Sequence, residues 1–179
     1  MTYKLTVRDL THCALFTVLL AVSSWISVPA PVPFTLQTFA VFAAIITLGA
    51  RLGTLSIAAW ILLGAAGVPV FSNFTGGLGV LLGASGGYIL GFLPAALICR
   101  AGEKLQSRMR AAFVLSLAAA LIAIYAVGTA WFMYLYAGGS GASLAAALGT
   151  CVVPFIIPDI VKISLAYALS STLRRHIRR

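Results

Sequence analysis

The chain has 179 residues, 61% of them hydrophobic and only 8% charged. Soluble domains carry about 25% charged residues, so this composition excludes a soluble globular protein and predicts an all-α polytopic membrane protein. The net charge of +9 does not point to nucleic acid, because eleven of the twelve Lys and Arg residues stand where apolar runs end, which is a topology signal.

In chain order, residues 1–9 are polar and basic and lead into an apolar run over about 10–28. A secretory signal begins the same way. Cleavage after Ala30 would place Pro31 at the new terminus, and the apolar region is longer than usual, so the segment is read as a retained first span. Within it Cys13, Thr17 and Ala21 recur every four residues. Small residues at that spacing admit another helix closely, either one of this chain or one of a partner subunit. Cys13, Cys99 and Cys151 form no C-x-x-C and are read as small packing residues.

Ser27 to Gln37 holds three prolines and no charge, an ordered loop outside the bilayer or folded into its rim. The apolar stretch from Thr38 to Ala66 is interrupted by Arg51-Leu52-Gly53. As one helix it would run roughly 44 Å against a hydrocarbon core of ~30 Å, with Arg51 near the midplane. Two spans, 38–50 and 52–66, with Arg51 in a tight cytoplasmic turn, avoid both problems. Gly67 to Gly87 contains seven glycines and no charge. It reads as a compact loop of the kind tolerated at membrane depth where it lines a cavity. Further spans are expected over 88–99, 111–137 and 144–173, separated by the basic loop Arg100–Arg110 and the uncharged loop Gly138–Ser143. With six spans every basic cluster falls on one side and all three uncharged loops on the other. The expected architecture is therefore six transmembrane helices in one integral membrane domain, with both termini cytoplasmic.

The last run contains VPFIIPDIVK (153–162), where Asp159 and Lys162 are the charged residues between Ala111 and Leu173. A charge at bilayer depth costs about 2.5–3.5 kcal/mol on insertion scales and marks a functional site by default. At i and i+3 the two side chains share a helix face. Pro154 and Pro158 each lack an N–H, which frees the carbonyls of Thr150 and Pro154 and kinks the helix. The segment reads as the wall of a polar pocket.

Several chemistries are excluded. Gly83-Ala84-Ser85-Gly86 is similar to the G-x-S-G of rhomboid-type proteases, but such a serine needs a base. His12 and His176 both belong to the cytoplasmic side, away from Ser85. There is no P-loop for ATP, and the three carboxylates show no metal-ligand spacing. Tyr125, Trp131, Tyr134 and Tyr136 read as an interfacial aromatic belt. What remains is a site for a small polar molecule arriving from outside, built from Asp159, Lys162, Asn73, Tyr88 and Gln37. A structural Asp–Lys pair is the alternative.

VPFTLQTF (32–39), GVPVF (67–71), GASGGYILGF (83–92) and PFIIPDIVK (154–162) together resemble the BioY family, the biotin-specific S components of energy-coupling-factor (ECF) transporters. Ala84-Ser85 and Ile157-Pro158 depart from the family's usual Pro-Thr and Pro-Gly, while a hydroxyl and both charges stay in place. The resemblance implies an S-component-like bundle in a bacterial or archaeal cytoplasmic membrane. It implies biotin as ligand, no cofactor, no enzymatic activity of its own, and no nucleic-acid partner. It also implies a transmembrane coupling protein and a pair of ABC-type ATPases as partners beside membrane lipid. Cys13, Thr17 and Ala21 resemble the Ala-rich first-helix motif with which S components dock, Thr17 departing from alanine. Asp159 is expected on a ureido N–H with Asn73 as a second ureido partner, and Lys162 on the carboxylate or within the ureido network. Phe34, Phe71, Tyr88 and Phe155 would bury the bicycle near Ser85 and Gln37. The other readings are an S component for a different vitamin and a non-transporting membrane scaffold or enzyme.

Overall fold

The computed structural model describes residues 5–28, 32–105, 110–136 and 143–177. Lys4, the Ala30–Pro31 pair, Arg108, Gly138 to Ala142 and Arg178–Arg179 lie outside them. The described elements are α1 (Val7–Trp25), β1 (Ser27–Val28), β2 (Phe34–Thr35), α2 (Gln37–Leu48), α3 (Ala50–Ala65), a 3-10 turn (Ser72–Phe74), α4 (Leu78–Leu81), α5 (Gly86–Leu105), α6 (Arg110–Tyr136), α7 (Leu144–Cys151) and α8 (Val153–Ile177). Among the described residues, three stretches are long and apolar enough to cross a membrane by themselves: α1, Ala111–Leu135 and Leu144–Ser170. α2 and α3 are apolar but shorter.

α1 opens on a reciprocal cap. Thr6 Oγ1 accepts the Asp9 N–H at 3.2 Å, and the Asp9 carboxylate accepts the Thr6 N–H at 3.0 Å, so two of the helix's unpaired donors are satisfied. Its small-residue stripe faces inward. Cys13, Thr17 and Ala21 are all buried, and Thr17 Oγ1 donates to Ser56 O of α3 at 3.2 Å. Cys13 and Thr17 seat α1 on α3, which is the internal-packing alternative of the two that the spacing allows. The outward face of α1 carries Leu15, Val18 and Val22 instead.

α2 is buried on every side from Ala40 to Thr47, as its uniformly apolar sequence requires. It packs on α1, α3 and above all α8, with Thr47 Oγ1 bonded to Ser170 Oγ at 2.8 Å. Gly49, at φ 86°, makes the turn into α3, a backbone angle that few residues other than glycine adopt. The first N–H of α3, at Ala50, donates to Glu103 Oε2 of α5 at 2.9 Å.

Two features refine the sequence reading. Ser27–Gln37 is not wholly irregular: β1 and β2 pair antiparallel, Ser27 opposite Thr35 and Val28 opposite Phe34. The final run is two helices, because Val152 leaves helical geometry at φ −125°. Pro154 then falls in the first turn of α8, where a missing N–H costs nothing, and Pro158 lies inside that helix.

Candidate functional site

The break at Val152 sets the register of α8 so that Asp159 and Lys162 point inward, 4% and 6% exposed. Lys162 Nζ donates to Asp159 Oδ1 at 2.9 Å and to the Thr35 carbonyl at 2.7 Å. It also stands 4.0 Å from the centroid of the Phe34 ring. Asp159 Oδ2 accepts the Tyr125 hydroxyl at 2.8 Å. Two opposite charges thus sit together out of solvent, each with a neutral hydrogen-bond partner as well, the condition under which a buried pair is tolerated. The ammonium ties the β1–β2 hairpin to α8, and the carboxylate ties α8 to α6.

The cavity beside this pair has a volume of about 60 Å³. Its lining includes Asp159, Lys162, Gln37, Tyr88, Ser85 and Phe155, with Tyr125, Thr35 and Ser72. No other charged side chain among the described residues lines it. Gln37 stands at the start of α2, 7% exposed. Its Oε1 accepts the Thr35 hydroxyl at 3.4 Å, while its Nε2 has no hydrogen-bond partner. A buried donor left in that state costs about 1–3 kcal/mol, so the amide is a polar group held ready for an acceptor. Tyr88 lies flat over Gly128, where a Cβ would strike its ring, and its hydroxyl pairs with Thr129 Oγ1 at 3.2 Å. Ser85 O receives the N–H groups of Tyr88 and Ile89, so the residue both opens α5 and faces the cavity. Phe155 lines the cavity; Phe34 does not, but its ring packs on that of Phe155 with centroids 5.7 Å apart.

Two expected residues lie elsewhere. Phe71 is fully buried, its ring seated on Gly64 and edge-on to Trp60 at 4.9 Å. It anchors the loop from beneath rather than facing the cavity. Asn73 is exposed and accepts the Ser27 hydroxyl at 3.0 Å, clasping the glycine-rich loop to the hairpin. Its neighbour Ser72 lines the cavity in its place. Asn73 and Phe74 both hold positive φ, 56° and 57°, a conformation costly for a bulky side chain, and Phe74 is braced by a stacked Trp25 ring at 4.9 Å.

Tyr125 is the residue that sequence reasoning placed wrongly, in the aromatic belt. Tyr134 is exposed as a belt residue should be, and Trp131 Nε1 donates to Gly83 O at 3.0 Å. Tyr125, Gly128 and Thr129 instead form one polar, close-packed patch on α6. The available signal was the run of Tyr, Gly and Thr at i, i+3 and i+4 in an otherwise apolar segment.

The model of the BioY family matches residues 1–179. The chain is 41% identical over 170 residues to the "Biotin transporter BioY" of Thermotoga maritima, covering 94% of this chain and 96% of that one. It is 40% identical over 168 residues to the "Probable biotin transporter BioY" of Pyrococcus horikoshii, covering 93% and 96%. Its fold superposes on the crystal structure of the S-component for biotin from an ECF-type ABC transporter with a TM-score of 0.79, at 26% identity, over 98% of this chain and 96% of that chain. With a family match along its whole length and relatives at this identity, the chain belongs to the BioY family.

Proposed function

We propose that this chain captures biotin at the outer face of a bacterial or archaeal cytoplasmic membrane and carries it inward as the S component of an ECF-type transporter. It works as a single membrane domain of six spans with both termini in the cytoplasm. α5 and the shorter α2 and α3 complete the crossings begun by the three long apolar stretches, and the basic clusters stay on one side. The chain has no ATP-binding loop, so hydrolysis belongs to a pair of partner ATPases acting through a transmembrane coupling protein. The carrying observation is the buried Asp159–Lys162 pair at the head of a cavity that also holds an unpartnered Gln37 amide donor.

Biotin offers a cyclic urea, an apolar bicycle and a carboxylate. Asp159 spends one hydrogen bond per oxygen inside the protein and keeps lone pairs for a ureido N–H. Gln37 Nε2 supplies the donor that a ureido carbonyl requires. Lys162 is already shared among Asp159, the Thr35 carbonyl and the Phe34 ring, which favours its place in the ureido network over contact with the carboxylate. The bicycle then lies against Phe155, Tyr88 and Phe34, and the carboxylate points toward Ser85 and the outer mouth. A cavity of about 60 Å³ is well below the several hundred Å³ usual for small-molecule sites. Entry therefore requires the hairpin and the Asn73 loop to part, and Asn73 joins the ligand only after leaving Ser27. Titration of the purified protein with labelled biotin tests the reading. Saturable binding is expected; no saturable binding, or another vitamin that co-purifies by mass spectrometry and is not displaced by biotin, would overturn biotin as the ligand.

A further inference from the structure

α6 and α8 belong to the most apolar of the long stretches, yet they barely touch. α6 packs along α5, and α8 along α2. Between them runs a groove of about 460 Å³, walled by Leu117, Leu121 and Val114 from α6 and by Ile160, Ile163 and Tyr167 from α8. At Ile122 it continues into a second apolar cavity of about 480 Å³ between α6 and α7. Ser164 is the polar intrusion, and its hydroxyl donates back to Ile160 O at 2.8 Å. Water would find few partners there, and a wall without neighbours forfeits its dispersion contacts. Since both walls lie in membrane-crossing stretches, the medium that can fill the groove is hydrocarbon chain. Beyond its Val114–Tyr167 end, α6 begins at Arg110 and α8 carries Arg174 and Arg175 about two turns further on. Basic positions at that end match an anionic headgroup.

The outer cavity, which meets the groove at Ile122, borders the ligand site. Tyr125 lines both the site cavity and the outer cavity, and its bond to Asp159 is a polar tie across the α6–α8 gap. We infer that the groove is a discrete site for one acyl chain of an anionic phospholipid. The chain fills the space between α6 and α8 and so keeps α8 where Tyr125 reaches Asp159. The coupling to affinity rests on the biotin reading above, whereas the lipid site does not.

Native mass spectrometry of the detergent-purified protein, supplied with phosphatidylglycerol, tests the site. Wild type should retain one phosphatidylglycerol. Ala118→Trp, which fills the groove from α6, should lose it, and so should Ser164→Leu from the α8 side. Leu115→Trp, on the exposed face of α6, should keep it. In nanodiscs, replacing phosphatidylglycerol by phosphatidylcholine should weaken biotin binding by about fivefold or more in wild type and leave Ala118→Trp unaffected. No retained lipid in wild type, or equal retention by both groove variants, overturns the site. Lipid lost from the variants with biotin affinity the same in both membranes overturns the coupling and leaves the site. Absence of biotin binding in every membrane strikes the biotin reading, while the adduct count still decides the groove.

Discussion

Asp159 has one protein donor on each oxygen, Tyr125 from α6 and Lys162 from its own helix. Replacing it by Asn leaves Lys162 buried beside a neutral amide, and truncating one member of a buried charge pair costs about 2–5 kcal/mol. Asp159→Asn should therefore weaken biotin binding by well over tenfold; a dissociation constant within about twofold of wild type would remove the pair from the site. Gln37 makes a prediction with two signs. Gln37→Leu deletes an orphaned donor, so the ligand-free protein should gain about 1 kcal/mol and melt at a higher temperature. The same change should weaken biotin about tenfold, because the ureido carbonyl loses its partner. A variant that melts lower and binds normally would mean the amide is structural. Tyr125→Phe keeps the ring and removes a hydrogen bond to a charged group, worth about 1.5–3 kcal/mol. Thermal midpoint and affinity should both fall, and an unchanged pair of values would return Tyr125 to the aromatic belt.

Among the elements, the hairpin and the glycine-rich loop act as one cover, held by Ser27 to Asn73 and by Lys162 to Thr35. If that cover must open, joining its halves should block entry, read against the unbridged double variant because Asn73 is itself a proposed ligand contact. Ser27→Cys with Asn73→Cys, bridged by a short reducible bis-thiol reagent, should slow biotin association roughly tenfold or more, with recovery on reduction. The native Cys13, Cys99 and Cys151 are buried and should not compete for the reagent. Association at the unbridged rate would show that the ligand enters by another route. The elements also mark where sequence alone stops. The Asp159–Lys162 face, a break between two helices near Arg51 and the proline-disturbed last run follow from periodicity and from the energetics of charge in hydrocarbon, although the turn itself falls at Gly49 and Arg51 lies in the first turn of α3. The places of Phe71 and Asn73 do not, because each depends on a tertiary neighbour: Gly64 accepts the Phe71 ring, and Ser27 holds Asn73. Tyr125 was hidden for the same reason. An aromatic near a span end looks alike whether it faces lipid or a carboxylate, until the facing helix is known. Cys13, Thr17 and Ala21 were legible as a close-packing stripe, but spacing cannot say whether the helix it receives is internal.

For the whole molecule, the distribution of charge has to agree with the direction from which the ligand comes. The hairpin and the Asn73 loop cover the site at the end of the bundle away from the Arg51 turn, since α2 begins at Gln37 beside the cavity and ends at Gly49 beside Glu103. Positive charge holds loops on the cytoplasmic side. The basic turn at Arg51 and the basic segment after Leu105 should therefore be inside, with the cover and the uncharged segment near residue 140 outside. Reporter fusions check this without reference to biotin. Alkaline phosphatase inserted near residue 140 should be active, and the same enzyme fused after Arg179 inactive, with a cytoplasm-dependent fluorescent reporter giving the opposite pattern. Equal phosphatase activity at both points would break the six-span parity. It would also place one of the two sides of the cavity where extracellular biotin could not reach it, so the topology and the direction of uptake stand or fall together.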